Sequence, residues 1–244
     1  MGGTFPQLFP LIMLAAMVTG AVLSRRYKAD LNLATFEKIW LALAAFTGAI
    51  LTAKIPYLVP GLPGFKDADS LLIGGKTILF GMVGGYFGVE LAKRSIGLKK
   101  KTGDSFVVPV AASIAIGRIA CFCGGCCYGT PTELPWGIVF PKIDNLARHP
   151  TQFYESAFHL MAAILAAGMI RRQLLKGQLI KAYFIAYFCY RFVTEYIRPE
   201  ARIHSGLTAY QWSVMFLIPL FVWLWWRDAR NFQQQVSSAT AIVD

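Results

Sequence analysis

The sequence predicts an all-α integral membrane protein with seven transmembrane helices, its N-terminus outside and its C-terminus in the cytoplasm. Three observations carry that expectation. Hydrophobic residues make up 56% of the 244-residue chain and charged residues only 15%, a balance that a water-soluble protein of this size does not usually strike. The apolar residues gather into runs close to the roughly 20 residues a helix needs to cross a bilayer. Basic residues are dense in alternate connections between those runs, as they are when one set of loops faces the cytoplasm.

The first run, residues 8–24, is followed rather than preceded by its positive cluster, Arg25, Arg26 and Lys28. That order is the reverse of a secretory signal and puts the N-terminus outside. Further runs follow at 39–59, 71–92, 106–126, 152–170, 179–197 and 207–226. Connections after the first, third and fifth hold Arg25, Arg26, Lys28 and Lys38, then Lys93, Arg94, Lys99, Lys100 and Lys101, then Arg171, Arg172 and Lys176. The opposite connections hold only Lys66, then Lys142 and Arg148, then Arg198 and Arg202. The formal charge of +11 is therefore topological and argues against a nucleic-acid partner. The chain reads as one membrane domain, 1–244, with a polar cytoplasmic tail over 227–244. Its longest outer connection, 127–151, carries Pro131, Pro135, Trp136 and Pro141 and reads as an ordered loop.

Ionisable residues inside spans are costly and point to function or to a partner. Snorkelling accounts for Lys54, Lys76 and Lys181 near span ends, and Glu90 reaches the cytoplasmic face. Arg118 lies about 18 Å along the fourth span at helical rise, past the midplane. Arg191 lies at similar depth in the sixth, with Glu195 one turn on and on the same helix face. An ion pair between those two is one reading, but it leaves Arg118 unexplained. The fifth span opens with His149, Gln152 and Glu155 at i, i+3 steps, a shared face if the helix begins that early. His159, one turn deeper, reads as a packing residue.

Two guanidiniums in low dielectric call for an anion, and arginine suits bidentate phosphate binding. At that depth the available anion is a phospholipid headgroup. Gly81, Gly84, Gly85 and Gly88 in the third span fit either close helix approach or room for a lipid tail. In GRIACFCGGCCYG, Cys121, Cys123, Cys126 and Cys127 leave three readings open: soft packing residues, a disulfide or reactive thiol, and a metal site with C-x-x-C spacing at Cys123 and Cys126. Cys189 reads as core.

These stretches resemble the prolipoprotein diacylglyceryl transferase family. That family's fourth-span signature, G-R-hydrophobic-G-N-F-x-x-x-E-x-x-G, is matched at Gly117, Arg118, Ile119, Phe122 and Gly129. Its fifth-span opening, H-P-S-Q-L-Y-E, appears as HPTQFYE over 149–155, and Y-x-x-x-R-x-x-x-E-x-x-R as Tyr187, Arg191, Glu195 and Arg198. The chain departs from the pattern at Ala120, Cys121 and Cys126, and Val83 stands where the family has a histidine. The resemblance implies transfer of a diacylglyceryl group from phosphatidylglycerol to the lipobox cysteine thiol of a lipoprotein precursor at the bacterial inner membrane. It implies no cofactor and no metal. It gives catalytic roles to Arg118 and Arg191; with Val83 in the histidine's place, His149 and Glu155 are the candidates to activate the thiol. Tyr187, Glu195, Gln152, Tyr154, Gly84, Gly85 and Arg198 are expected to bind substrate. Two alternatives stand beside it: a lipid-binding or differently reacting phospholipid-dependent member lacking the histidine, and a membrane thiol oxidoreductase using Cys121–Cys127.

Overall fold

The computed structural model describes residues 5–29, 31–58 and 77–240. The expectations for Lys66, Lys76 and the start of the third span lie outside those residues. The fold is a helical bundle in the order α1 (Leu8–Ala29), α2 (Thr35–Ala53), the single turn α3 (Ile55–Leu58), α4 (Ile78–Ser95), α5 (Asp104–Gly124), α6 (Thr151–Arg171), α7 (Leu179–Thr194) and α8 (Ala209–Thr240). Two small antiparallel pairs decorate it, β1 (Ile138–Val139) with β2 (Ala147–Arg148), and β3 (Arg202–His204) with β4 (Leu207–Thr208).

Among the described residues, five helices are long and apolar enough to cross a membrane: Leu8–Tyr27, Thr35–Ala53, Asp104–Gly124, Thr151–Arg171 and Ala209–Arg230. Their outer faces carry large exposed apolar side chains, including Leu14, Met17, Val18, Phe46, Ile164 and Phe216, as lipid contact requires. The two other expected spans fall short of that description. In α4 the last turns hold Glu90, Lys93 and Arg94, and α7 has only 16 residues before the chain tightens into the 3₁₀ turn Glu195–Ile197.

The helices pack in neighbouring pairs: α1 on α5, α5 on α6, α7 on α8, and α2 on α4. The last pairing rests on small residues. A Cβ on Gly84 would collide with the Gly48 carbonyl and the Thr52 side chain, and one on Gly88 with the Ala44 carbonyl. Without a hydrophobic force between helices in lipid, such close backbone approach is what holds them together. Thr52 Oγ1 seals the seam by donating to Phe80 O at 2.7 Å. The core proper lies among α4 to α8, where Phe184, Phe188 and Phe221 pack at centroid distances of 5.2–5.9 Å. Between α2, α4, α5 and α7 lies an apolar cavity of about 300 Å³, bordered by Gly81, Gly85, Tyr86, Val110 and Phe184. Lys181 does not snorkel: it is 2% exposed and paired with Asp228 at 3.0 Å.

Candidate active site

α5 delivers Arg118 into a buried polar layer. Its guanidinium meets Glu155 of α6 at 2.5 Å, with the side chains only 8% and 2% exposed. Tyr187 of α7 donates its hydroxyl to the other carboxylate oxygen at 2.8 Å. His159 Nε2 stands 3.9 Å from that same oxygen, and Nδ1 is 2.8 Å from the Tyr183 hydroxyl. Three helices therefore converge on one carboxylate. Ser156 ties α6 to α5 beside it by donating to Ala115 O at 2.8 Å.

A second buried pair closes the end of α7, where Arg191 meets Glu195 of the 3₁₀ turn at 2.7 Å. Thr208 donates to Glu195 at 3.0 Å, and the Arg191 guanidinium lies 4.9 Å from the Tyr210 ring centroid. Thr208 is itself held by a reciprocal bond pattern at the start of α8: its N–H donates to Gln211 Oε1 at 3.0 Å, and Gln211 N–H donates to its hydroxyl at 3.3 Å. Tyr187, which holds Glu155, and Arg191, which holds Glu195, stand one turn apart on α7, so the two pairs form one charged layer. The structure thus supplies a protein carboxylate to each guanidinium that the sequence leaves awaiting an external anion, since an unpaired charge at this burial is costly.

The end of α5 is built by its glycines. Gly125 adopts φ +71°, Cys126 N–H donates to Cys121 O at 3.1 Å and Gly125 N–H to Phe122 O at 3.0 Å, the double bond of a Schellman turn. The helix stops at Gly124, two residues short of the expected span, and Cys126 folds back over Cys121. The thiols of Cys121, Cys126 and Cys127 lie within 4.8 Å of one another. Cys123 is buried away from them, so the C-x-x-C pair is not the one brought together. Cys189 is exposed rather than core. All five thiols are free.

Three side chains pin this turn from outside. Gln152 donates to Cys126 O at 2.6 Å, Thr151 to Cys127 O at 2.6 Å, and Arg198 to Cys127 O at 2.5 Å. Arg198 also donates to Thr151 Oγ1 at 3.0 Å. Gly129 is required next to them, because a Cβ there would fall 2.6 Å from His149 Cβ and 2.7 Å from Ile197 O. The loop that follows is ordered, as expected. Phe140 is 1% exposed against Phe122 and Tyr128. Arg148 pairs with Asp144, and that hydrogen bond holds the Asp144 carboxyl below the usual range.

Apart from Gly84 and Gly85, the sequence-predicted residues separate into three groups. Arg118, Glu155, Tyr187, Arg191 and Glu195 form the buried layer. Gln152 and Arg198 brace the cysteine turn. His149 and Tyr154 belong to the loop side: His149 Nδ1 is 3.4 Å from the Tyr154 hydroxyl, which accepts a 2.7 Å bond from Trp136. The shared helical face of His149, Gln152 and Glu155 does not form, because α6 begins only at Thr151. Gly84 sits in the α2–α4 seam, Gly85 on the apolar cavity, and Val83 packs against the main core. Thr208 and Gln211 join the site without being among the sequence-predicted residues, although T-x-x-Q ahead of an apolar run is a legible capping signal. Tyr183 and Thr151 carried no such signal.

Among the described residues, Arg118 Nε and Arg198 Nε are buried and have no hydrogen-bond partner, and Gln152 Oε1 has no donor. Buried orphans of this kind mark where a ligand or water belongs. Counting Arg198, three residues beyond Glu195, three guanidiniums face two buried carboxylates, with Glu200 only at 3.8 Å from Arg198. The arrangement can receive an anion.

The family model for prolipoprotein diacylglyceryl transferase matches residues 6–227. A phosphatidylglycerol–prolipoprotein diacylglyceryl transferase of Clostridium tetani (strain Massachusetts / E88) is 32% identical over 192 residues, covering 73% of this chain and 75% of its own. Its counterpart from Polynucleobacter necessarius subsp. necessarius is 32% identical over 202 residues, covering 75% and 74%. That from Methylocella silvestris is 30% identical over 208 residues, covering 80% and 74%.

Proposed function

We infer the function from one premise: the chain belongs to the prolipoprotein diacylglyceryl transferase family. It is a membrane enzyme that transfers a diacylglyceryl group from phosphatidylglycerol to a prolipoprotein, as the relatives' names state. The comparisons favour neither a purely lipid-binding role nor a thiol oxidoreductase.

The observation that carries the mechanism is the buried Arg118–Glu155–Tyr187 junction with partnerless guanidinium N–H groups on Arg118 and Arg198. In this reading the phosphate of phosphatidylglycerol takes up those donors. The precursor's lipobox cysteine attacks as a thiolate, which is the nucleophilic form. Its sulfur bonds to the diacylglyceryl methylene carbon, the carbon–oxygen bond breaks, and glycerol phosphate leaves with the electron pair. Arginines held in advance by Glu155 and Glu195 stabilise that departing charge without having to reorganise. Glu155 is already committed to Arg118 and Tyr187, so His149 on the loop side is the better group to receive the thiol proton.

The reading also completes the topology. With α4 and α7 as crossings the chain spans seven times, N-terminus outside and C-terminus cytoplasmic, in the bacterial inner membrane. α7 with its 3₁₀ turn reaches about 30 Å, the thickness of a hydrocarbon core. The alternating basic connections support the direction. Purified protein in phosphatidylglycerol vesicles with a lipobox peptide, followed by mass spectrometry, tests the residue roles. Arg118→Ala and Arg191→Ala are each expected to abolish the adduct while the protein still folds. Full transfer by either variant would overturn the role given to that arginine.

A further inference from the structure

The turn after α5 does more than end a helix. Three thiols from Cys121, Cys126 and Cys127 come within 4.8 Å of one another, and Cys126 and Cys127 Sγ are 3.7 Å apart. Thiolates bound to one tetrahedral ion at about 2.3 Å stand about 3.8 Å apart, so the Cys126–Cys127 spacing is that of two neighbouring corners of a coordination sphere, with Cys121 within 4.8 Å of both. It is well above the ~2.05 Å of a disulfide.

The backbone is held in an uncommon shape to achieve this. Cys127 adopts φ +63°, in the left-handed region that a residue with a Cβ rarely enters. Residues kept there are found where the surroundings over-determine them, and often at functional sites. Here the surroundings are visible: Gln152, Thr151 and Arg198, from two other segments, grip the carbonyls of Cys126 and Cys127. Such outer contacts orient ligands in metal sites. The setting is also positive, as a cluster of thiolates needs, because Arg198 brings its guanidinium to the Cys127 carbonyl at 2.5 Å. Cys126 is exposed, leaving the cluster reachable from outside the protein.

We propose that Cys121, Cys126 and Cys127 bind a thiophilic d¹⁰ cation, Zn²⁺ or Cu⁺, and that in the zinc form the acceptor's cysteine thiol takes the fourth position. The second part rests on the transferase reading above. Three protein ligands and one open position are the pattern of a catalytic rather than a structural zinc site. A coordinated thiol loses its proton outright and stays nucleophilic. The step balances: the acceptor thiol displaces a bound water, and its proton passes by way of His149 to solvent. The zinc-bound sulfur then forms the bond to the diacylglyceryl carbon as the carbon–oxygen bond breaks and glycerol phosphate departs. No oxidant or reductant is needed. Val83 offers no proton acceptor from α4, and the cysteine turn is held by Gln152 of α6, the helix that also carries Glu155.

The test uses the full chain purified in detergent under anaerobic, reducing conditions, stripped with a chelator and then loaded with Zn²⁺ or Cu⁺. Elemental analysis is expected to find about one ion per chain. Cys121→Ser, Cys126→Ser and Cys127→Ser should each weaken binding at least about tenfold, while Cys123→Ser and Cys189→Ser keep it. Loading with Co²⁺ should give a thiolate charge-transfer band whose intensity rises when a lipobox peptide is added. It should not rise with the peptide whose cysteine is serine. Absence of a stoichiometric ion, or retention of the ion by the three serine variants, overturns the site. A disulfide among these thiols in protein alkylated at the moment of lysis overturns it as well. A cobalt spectrum unmoved by the peptide overturns the acceptor's place on the metal. Transfer is measured in parallel, so that metal bound without transfer counts against the transferase reading, and transfer without metal counts against the site.

Discussion

Replacing Arg118 by alanine removes the guanidinium paired with Glu155, whose side chain is 2% exposed. The carboxylate would keep the Tyr187 hydroxyl at 2.8 Å and His159 at 3.9 Å. Breaking a buried ion pair from one side costs about 3–5 kcal/mol, most of it the burden of the stranded charge. For a chain of this length that lowers the unfolding temperature on the order of 10 °C. Adding Glu155→Gln to Arg118→Ala removes the charge while an amide oxygen remains to accept from Tyr187. The double variant is therefore expected to regain roughly 1–3 kcal/mol over Arg118→Ala alone. Transfer should not return with stability, because the guanidinium that receives the phosphate is still missing. Scanning fluorimetry in detergent reads the first quantity and mass spectrometry of a lipobox peptide the second. A double variant no more stable than Arg118→Ala would refute the ion-pair argument. One that recovers both stability and transfer would show that Arg118 serves only to neutralise Glu155.

Further outcomes follow from the same geometry. Tyr187→Phe withdraws a hydrogen bond from a buried carboxylate and should cost about 1.5–3 kcal/mol in thermal unfolding, with transfer slowed. Gly84→Ala forces apart the α2–α4 seam and is expected to destabilise by about 1–3 kcal/mol, whereas Gly81→Ala, whose Cβ would meet its neighbours at 3.5 Å or more, should be near neutral. Asp228→Asn strands Lys181, which is 2% exposed, and should lower thermal stability more than Arg227→Gln, which loses only a half-exposed partner.

Much of this organisation is legible in the amino-acid sequence. Hydropathy locates the long membrane helices because lipid demands extended apolar runs, and the 3.6-residue period places Arg191 and Glu195 on one face, where they pair. The motifs lead to Arg118, Glu155 and Tyr187, yet the sequence does not show that they satisfy one another. That depends on how α5, α6 and α7 are juxtaposed, which no local spacing encodes. His149 reads as part of a helical face because Pro150 suits a first turn, but the chain spends Pro150 on the turn into α6 and leaves His149 in the loop. The two glycines in CFCGGCC carry the signal for the turn. They end α5 early, and that stop turns Cys126 and Cys127 back toward Cys121.

Whether this charged layer serves diacylglyceryl transfer is measured most directly by the reaction itself. The purified chain is incubated with phosphatidylglycerol vesicles and a lipobox peptide, with the cysteine-to-serine peptide beside it, and the products are weighed by mass spectrometry. One diacylglyceryl adduct on the cysteine peptide and none on the serine peptide is the predicted result. No adduct, under conditions where the Clostridium tetani relative produces one, would contradict the account.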